Sequence, residues 1–296
     1  MAATGKILIT GCQGQLGMDL MGYLSDHATV VGIDIADIDI SNFSGLLDLF
    51  RTVKPQWVIH TAAWTDVDGC ELNPGLAMTI NADGTENVAR ATAKVGANML
   101  YYSTDYVFDG MAKSPYVETD ITNPRTVYGR SKLEGEERVR SVVDNYVIMR
   151  ISWVYGLYGK NFVKTMLRLG REQAAAQRAG QALAPLKVVN DQTGNPTWTM
   201  EIARQTKVIL EDGLFGLFHA TAESQTTWFG LTQQIFRQMK IEAELSPCRT
   251  EDFPRPAPRP HFSALENARL KEAGLNIMRP YGEQLEDFLT LHGEQL

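Results

Sequence analysis

The chain has 296 residues, with 28 Lys and Arg against 35 Asp and Glu, so its formal net charge is −7. A chain of this length buries roughly 75% of the surface exposed when unfolded, enough for a sizeable core. The acidic balance excludes a broad surface built to neutralise nucleic-acid or membrane phosphates, although one small phosphorylated ligand needs only a local site. Cys12, Cys70 and Cys248 are too few and too scattered for a disulfide framework or a zinc site of ordinary spacing. The N-terminus runs directly into an apolar strand with no signal-peptide pattern, and no apolar run approaches the ~20 residues of a membrane span. The expectation is a cytoplasmic globular enzyme with neither a nucleic-acid nor a membrane partner.

Lys6–Thr10 reads as a buried strand, followed by a Gly-rich turn and a helix over Leu16–Leu24. Val30–Asp34 is a second strand, Phe43–Val53 a helix and Trp57–His60 a third strand. Pro74 to Val95 carries a long helical pattern interrupted by Gly84. Asn98–Ser103 and Tyr146–Ile151 read as strands, with a helix over Tyr128–Ser141 between them. This alternation calls for an α/β fold, a Rossmann-type doubly wound parallel sheet occupying residues 1–152. Residues 153–296 read mainly as a smaller α+β substrate-binding region, with later segments returning to the sheet. It holds a helix from Phe162 to about Gln173, a small-residue loop over Ala174–Pro185 and a strand at Lys187–Asn190. Helices over Glu201–Glu211 and Thr227–Met239, Pro-rich Phe253–Phe262 and two short helical stretches complete the chain.

Thr10-Gly11-Cys12-Gln13-Gly14-Gln15-Leu16-Gly17 is a T-G-x-x-G-x-x-G turn between a strand and a helix. Its glycines allow a tight turn and close approach of a pyrophosphate, and the helix start offers free N–H groups and a positive dipole end. Gly11, Gln13, Gly14, Gln15, Leu16 and Gly17 are therefore candidate cofactor contacts, with Cys12 a small filler. Asp34, ending the second strand, can accept hydrogen bonds from an adenosine ribose and repels a 2′-phosphate. No Lys or Arg follows it before Arg51, which favours NADH without excluding NADPH. The alternative is an acid in a surface loop. Asp39 and Ile40 are candidates for framing the adenine, and Ala62 and Ala63 for cofactor contact beyond the third strand.

Tyr128-Gly129-Arg130-Ser131-Lys132 places Tyr128 and Lys132 four residues apart, on one helix face. A cation beside a phenol favours phenolate and moves the tyrosine towards proton transfer near neutral pH. The same spacing also suits an ordinary pair on a solvated face. Ser103-Thr104-Asp105 follows a strand, where the Thr104 hydroxyl can meet a substrate carbonyl oxygen.

These motifs together resemble the extended short-chain dehydrogenase/reductases. Y-S-T-D-Y-V-F-D-G from Tyr102, N-P-R-T-V-Y-G-R-S-K-L-E-G-E from Asn123 and R-I-S-W-V-Y-G from Arg150 are similar, more narrowly, to the dTDP-4-dehydrorhamnose reductases. So are N-F-V-K-T-M-L from Asn161, N-D-Q-T-G-N-P-T from Asn190 and R-P-A-P-R-P-H-F-S from Arg255. The resemblance implies NAD(P)H-dependent reduction of a 4-keto group on a dTDP-sugar substrate. Tyr128 would give the proton, Lys132 would hold the nicotinamide ribose and keep the tyrosine pKa low, and Thr104 would polarise the keto oxygen. Asp105 and Arg259 would meet the substrate, Trp153 would pack on the sugar ring or else be plain core, and Asn195 and Thr197 would cap the nucleobase or else shape a turn. Arg259 would serve the diphosphate by its guanidinium fork, against the alternative of a solvated polyproline linker. For Asp105, substrate contact and structural hydrogen bonding stand as equal readings.

Two departures stand out. Gly69, in Thr65-Asp66-Val67-Asp68-Gly69-Cys70-Glu71, sits where relatives are expected to carry a larger side chain, often lysine. The Ala174–Pro185 link is longer than expected. The five histidines share no spacing, so none is assigned to catalysis or metal. Tyr106 in place of a glutamate argues against a 4,6-dehydratase. A 4-epimerase, another nucleotide-sugar reductase and a regulatory subunit of the methionine adenosyltransferase type remain alternatives. Homodimerisation and Mg2+ in assembly stay open.

Overall fold

A computed structural model describes residues 5–181 and 183–296. Six parallel strands form the central sheet: β1 (Ile7–Thr10), β2 (Val30–Ile33), β3 (Trp57–His60), β4 (Asn98–Thr104), β5 (Tyr146–Ile151) and β6 (Gly216–His219). Their order is β6-β5-β4-β3-β1-β2, all neighbours parallel. Every residue of β1 and β3 is buried, as required of strands covered on both faces. Alternate residues feed two cores. Ile7, Ile9, Leu100 and Met149 pack beneath α1 (Gln15–Ser25) and the later helix Thr199–Asp212. Leu8, Val58, Tyr101 and Ile148 pack beneath α2 (Phe43–Val53), α3 (Thr85–Lys94) and α4 (Val127–Val142). The sheet order reverses between β1 and β3, so their C-terminal ends open a crevice where α/β ligands bind.

The stretch from Pro74 to Lys94 is three pieces rather than one helix: Pro74–Met78, a π turn at Thr79–Gly84, and α3. A Cβ on Gly84 would lie 2.6 Å from Ile40 Cδ1, so the glycine lets that side chain seat against the π turn. The Ala174–Pro185 link proves partly helical. Helix α5 (Phe162–Arg178) continues through Q-A-A-A-Q-R, all strong helix formers, and stops before Gly180 at φ +77°. Ala182 of that link lies outside the described residues.

Beyond Trp153 a third core joins α5, α6 (Thr199–Asp212), α7 (Trp228–Gln238) and α8 (Tyr281–His292) through Leu167, Trp198, Ile235 and Phe288. Two-stranded pairings organise its loops: Val154–Tyr155 with Thr197–Trp198, Thr193–Gly194 with Thr226–Thr227, and Leu186–Val189 with Leu245–Cys248. This half also returns to the sheet, since α6 packs on α1 and β6 pairs with β5. Among the described residues, no helix is long and apolar enough to cross a membrane.

Candidate active site

The glycine-rich turn takes its shape from close contacts that no side chain allows. Gly11 has φ +74°, and a Cβ there would lie 2.6 Å from the Ala62 nitrogen. Gly17 presses against the Gly11 carbonyl. Helices α2, α4, α5 and α7 are capped by Asn42, Thr126, Asn161 and Thr227 side chains, whereas α1 begins at Gly14 with no side-chain cap. Its first N–H groups are left for an anion, which suits a pyrophosphate.

A cleft of about 900 Å3 opens over this turn. Gly11, Gln13 and Gly14 line it on one side and Asp34, Asp39 and Ile40 on another, with Ala62 and Ala63 beyond β3. Asp34 lies just past the end of β2, and its carboxylate accepts from the Gln13 and Ile35 N–H groups at 2.8 Å each. These two bonds fix the carboxylate in the cleft wall, with no Lys or Arg among the lining residues. A nicotinamide dinucleotide fits this cradle. Two predicted contacts turn their side chains elsewhere. Leu16 packs into the core, and Gln15 donates to the Val154 carbonyl and accepts from Asn161 Nδ2, bridging the turn to the second half of the chain.

The start of α4 is held at several points. Thr126 caps it through the Gly129 N–H, Glu71 accepts from the Val127 N–H at 2.8 Å, and Gly129 lies directly on the Tyr106 carbonyl. Asn81, in the π turn, donates to Ser131 Oγ and to the Trp64 carbonyl and accepts from the Trp64 N–H. Ser131 Oγ in turn donates to the Tyr128 carbonyl at 2.8 Å. The cofactor-side loop after β3 is thereby pinned to the helix carrying Tyr128 and Lys132. Asn81, Glu71 and Ser131 carry no local sequence signal, because each acts through a partner brought near by folding.

Tyr128 and Lys132 are both buried, beside Thr104 at the end of β4. Thr104 Oγ1 donates to Asp105 Oδ1 at 2.9 Å and accepts from the Tyr106 N–H at 3.2 Å. Burial raises the Tyr128 pKa, opposed by a hydrogen bond with Thr104 and reinforced by Asp105, Tyr106 and Cys70. Burial also pushes the Lys132 ammonium down to about 7, with Glu136 opposing. Desolvation outweighs the Thr104 hydrogen bond, so the phenol lies above its ordinary range and is held in its protonated form.

Asp105 is 3% exposed, and burial raises its carboxyl pKa against hydrogen bonds with Ser263, Thr104 and Ser152. Of its two readings the structural one matches this geometry, since the carboxylate accepts from Thr104 at 2.9 Å and from Ser152 at 3.1 Å, tying Thr104 to the segment after β5. Asn195 and Thr197 are likewise committed internally. The Asn195 amide donates to the Ala222 and Ser224 carbonyls and accepts from the Leu265 N–H. Thr197 is fully buried, donating to the Asn195 carbonyl and accepting from the Ala222 N–H. Of the two readings, these hydrogen bonds match the shaping of a turn.

Arg259 is no solvated linker residue. Its guanidinium pairs with Asp68 at 2.9 Å, and Arg255 approaches the same carboxylate oxygen at 3.5 Å. Arg259 also opposes the burial-driven rise in the Tyr106 pKa, and the Tyr106 ring meets Tyr128 edge-on at 5.6 Å. Arg259 thus lies beside Tyr106 together with Asp68, a residue the sequence analysis did not single out. A Cβ on Gly69 would meet the Asp66 carboxylate and the Trp64 ring, so a larger residue there would require those two side chains to shift. Trp153 sits at φ +46°, its indole stacked on Trp228 at 3.4 Å and 2° and packed over Gly194. Among the described residues, no group of three or more His, Cys, Asp or Glu side chains could hold a metal ion.

A doubly wound parallel sheet, an uncapped glycine-rich helix start, an acid beyond β2 and a buried tyrosine–lysine pair beside a threonine define an extended short-chain dehydrogenase/reductase. The chain belongs to the family described as RmlD substrate binding domain, whose model matches residues 5–293. A dTDP-4-dehydrorhamnose reductase from Streptomyces griseus is 37% identical over 295 residues, covering 97% of this chain and 94% of the relative. The crystal structure of a dTDP-4-dehydrorhamnose reductase from Clostridium acetobutylicum is 41% identical, with a TM-score of 0.92 over 98% of this chain and 100% of that one. A dTDP-4-dehydrorhamnose reductase from Bacillus anthracis, solved in complex with NADP, is 36% identical, with a TM-score of 0.91 over 96% and 98% of the two chains.

Proposed function

We propose that this protein reduces the 4-keto group of dTDP-4-dehydro-L-rhamnose, with NAD(P)H, to give dTDP-L-rhamnose. The observation that carries the reading is the buried Tyr128–Thr104–Lys132 cluster beside a dinucleotide-sized cleft, in a chain of this family. When bound, the reduced nicotinamide supplies a hydride to the carbonyl carbon. The α1 N-terminus and the glycine turn hold the pyrophosphate, and Asp34 holds the adenosine ribose. Tyr128 offers its hydroxyl to the keto oxygen, and Thr104 turns its hydroxyl from Asp105 to the same oxygen, so that both stabilise the charge developing there. Tyr128 then gives its proton to that oxygen. A phenol whose pKa is raised by burial arrives protonated, as a donor must, and Lys132 stabilises the phenolate left behind.

Arg259 takes the substrate diphosphate, exchanging part of its pairing with Asp68 for the more highly charged group. Trp153 offers an indole edge or face to the sugar. Asp34 favours NADH, since its carboxylate suits a free ribose and repels a 2′-phosphate. The test is oxidation of reduced nicotinamide by the purified protein with dTDP-4-dehydro-6-deoxyglucose and a 3,5-epimerase, NADH and NADPH being supplied separately. Epimerase-dependent oxidation is the expected result and ranks the two cofactors. Binding of cofactor without oxidation would discard the reading.

A further inference from the structure

Tyr101, on β4, is fully buried beneath α4. Its hydroxyl donates to the Lys132 carbonyl at 3.3 Å, and the Lys132 ammonium stands 4.2 Å from its ring centroid. Glycine inside a helix is destabilising, yet α4 carries Gly135 one turn beyond. A Cβ there would collide with the Tyr101 hydroxyl and come within 2.8 Å of the Asn81 carbonyl. The glycine is what allows the phenol ring to lie under the lysine.

A buried ammonium needs a compensating partner. Its surroundings are Tyr128 and Glu136 on α4, Tyr101 on β4, His60 on β3 and, through Glu136, Arg150 on β5. Glu136 is the only carboxylate in that set, and its charge is already matched: Arg150 binds it through two hydrogen bonds of 2.8 Å, and Arg140 adds a third at 3.1 Å. His60 is in register with Tyr101 and stacks on it, with centroids 5.7 Å apart. Burial pushes its imidazole down to about 3, so it brings no competing positive charge to the ring. The π face of Tyr101 is thus the nearest group free to stabilise the cation, and such contacts strengthen when desolvated.

We infer that Tyr101 is a positioning residue of the reduction, its ring face holding the Lys132 ammonium where it serves Tyr128 and the cofactor ribose. This rests on the role proposed above for Lys132. Withdrawing the ring's electron density weakens its hold on the cation, so Lys132 loses its proton at lower pH and the alkaline limb of activity moves down.

The experiment replaces Tyr101 with phenylalanine and then with 4-fluoro-, 3,5-difluoro- and 3,4,5-trifluorophenylalanine, near-isosteric rings of falling quadrupole. Tyr101→Phe should retain the alkaline limb of kcat/KM, since it keeps the ring. Across the fluorinated series that limb should move down progressively, by about one pH unit in total, with kcat/KM above the limb falling about tenfold. A flat series, alongside a Lys132→Met variant that has lost turnover, would overturn the inference and leave the lysine's role intact. Undiminished turnover in Lys132→Met would overturn both.

Discussion

At neutral pH the Tyr128 phenol holds its proton, because burial disfavours the phenolate more than the Thr104 hydrogen bond favours it. This suits the reductive direction, in which tyrosine begins as the acid. Tyr128→Phe should lower kcat by about 10^2–10^4-fold, the usual contribution of a positioned acid, while cofactor affinity changes little. Single-turnover oxidation of the reduced nicotinamide checks this, and turnover within tenfold of the parent would remove the tyrosine from proton transfer. Asp34 works by charge and aim. Asp34→Ala should raise the ratio of NADPH to NADH use by about tenfold, the effect of removing one repulsion and one pair of ribose hydrogen bonds. Because the substitution also frees the Gln13 and Ile35 N–H groups, the ratio of kcat/KM values is the proper readout. An unchanged ratio would release Asp34 from cofactor selection.

Helix α4 shows how one element places a catalytic group. Thr126 and Glu71 fix its first turn, Gly129 lets it lie on the Tyr106 carbonyl, and Gly135 lets Tyr101 slip beneath it. Gly129→Ala would overpack that contact, costing about 1–3 kcal/mol and moving Tyr128 off Thr104. Thermal melting and kcat should therefore fall together. Gly22 in α1 is the contrast, since nothing lies within 4 Å of a Cβ there. Gly22→Ala should stabilise the protein by about 0.5–1 kcal/mol without touching activity. A melting temperature unchanged or lowered in Gly22→Ala would contradict the open space above that helix.

Across the whole molecule, α4 is locked to β5 by the Glu136–Arg150 pair, whose side chains are 0% and 2% exposed. Glu136→Ala leaves a guanidinium buried without its partner and should cost about 3–5 kcal/mol in denaturant melts. Two more buried groups make stability depend on pH. Burial pushes His60 and His219 down to about 3, so both stay neutral in the fold and charge only on unfolding. The unfolded chain binds more protons below its histidine pKa of about 6.5, so stability is full above that pH and is lost as pH falls towards 3. Unfolding near pH 5 should take up about two protons from these residues. Calorimetry in buffers of different ionisation enthalpy measures that uptake, and a value near zero would mean that both imidazoles are already charged in the fold.

What was legible in the sequence is what local chemistry decides. A glycine pattern between a strand and a helix needs no distant partner to be a tight turn with a bare helix start, and four-residue spacing puts Tyr128 and Lys132 on one face wherever that helix lies. The alternation of short apolar runs with amphipathic stretches likewise carries the parallel sheet, because both faces of such strands must be covered. Tertiary structure alone decided the rest. Asn81, Asp68 and Tyr101 act on residues between 17 and 191 positions away, counted to Trp64 and Arg259 at the extremes; which of their two readings Asn195 and Thr197 match depends on backbone partners from Ala222 to Leu265. The direction of the Tyr128 and Lys132 shifts also waited on the fold. A motif names the groups that titrate, but their pKa values follow from how much water packing removes, and that is a property of the assembled core.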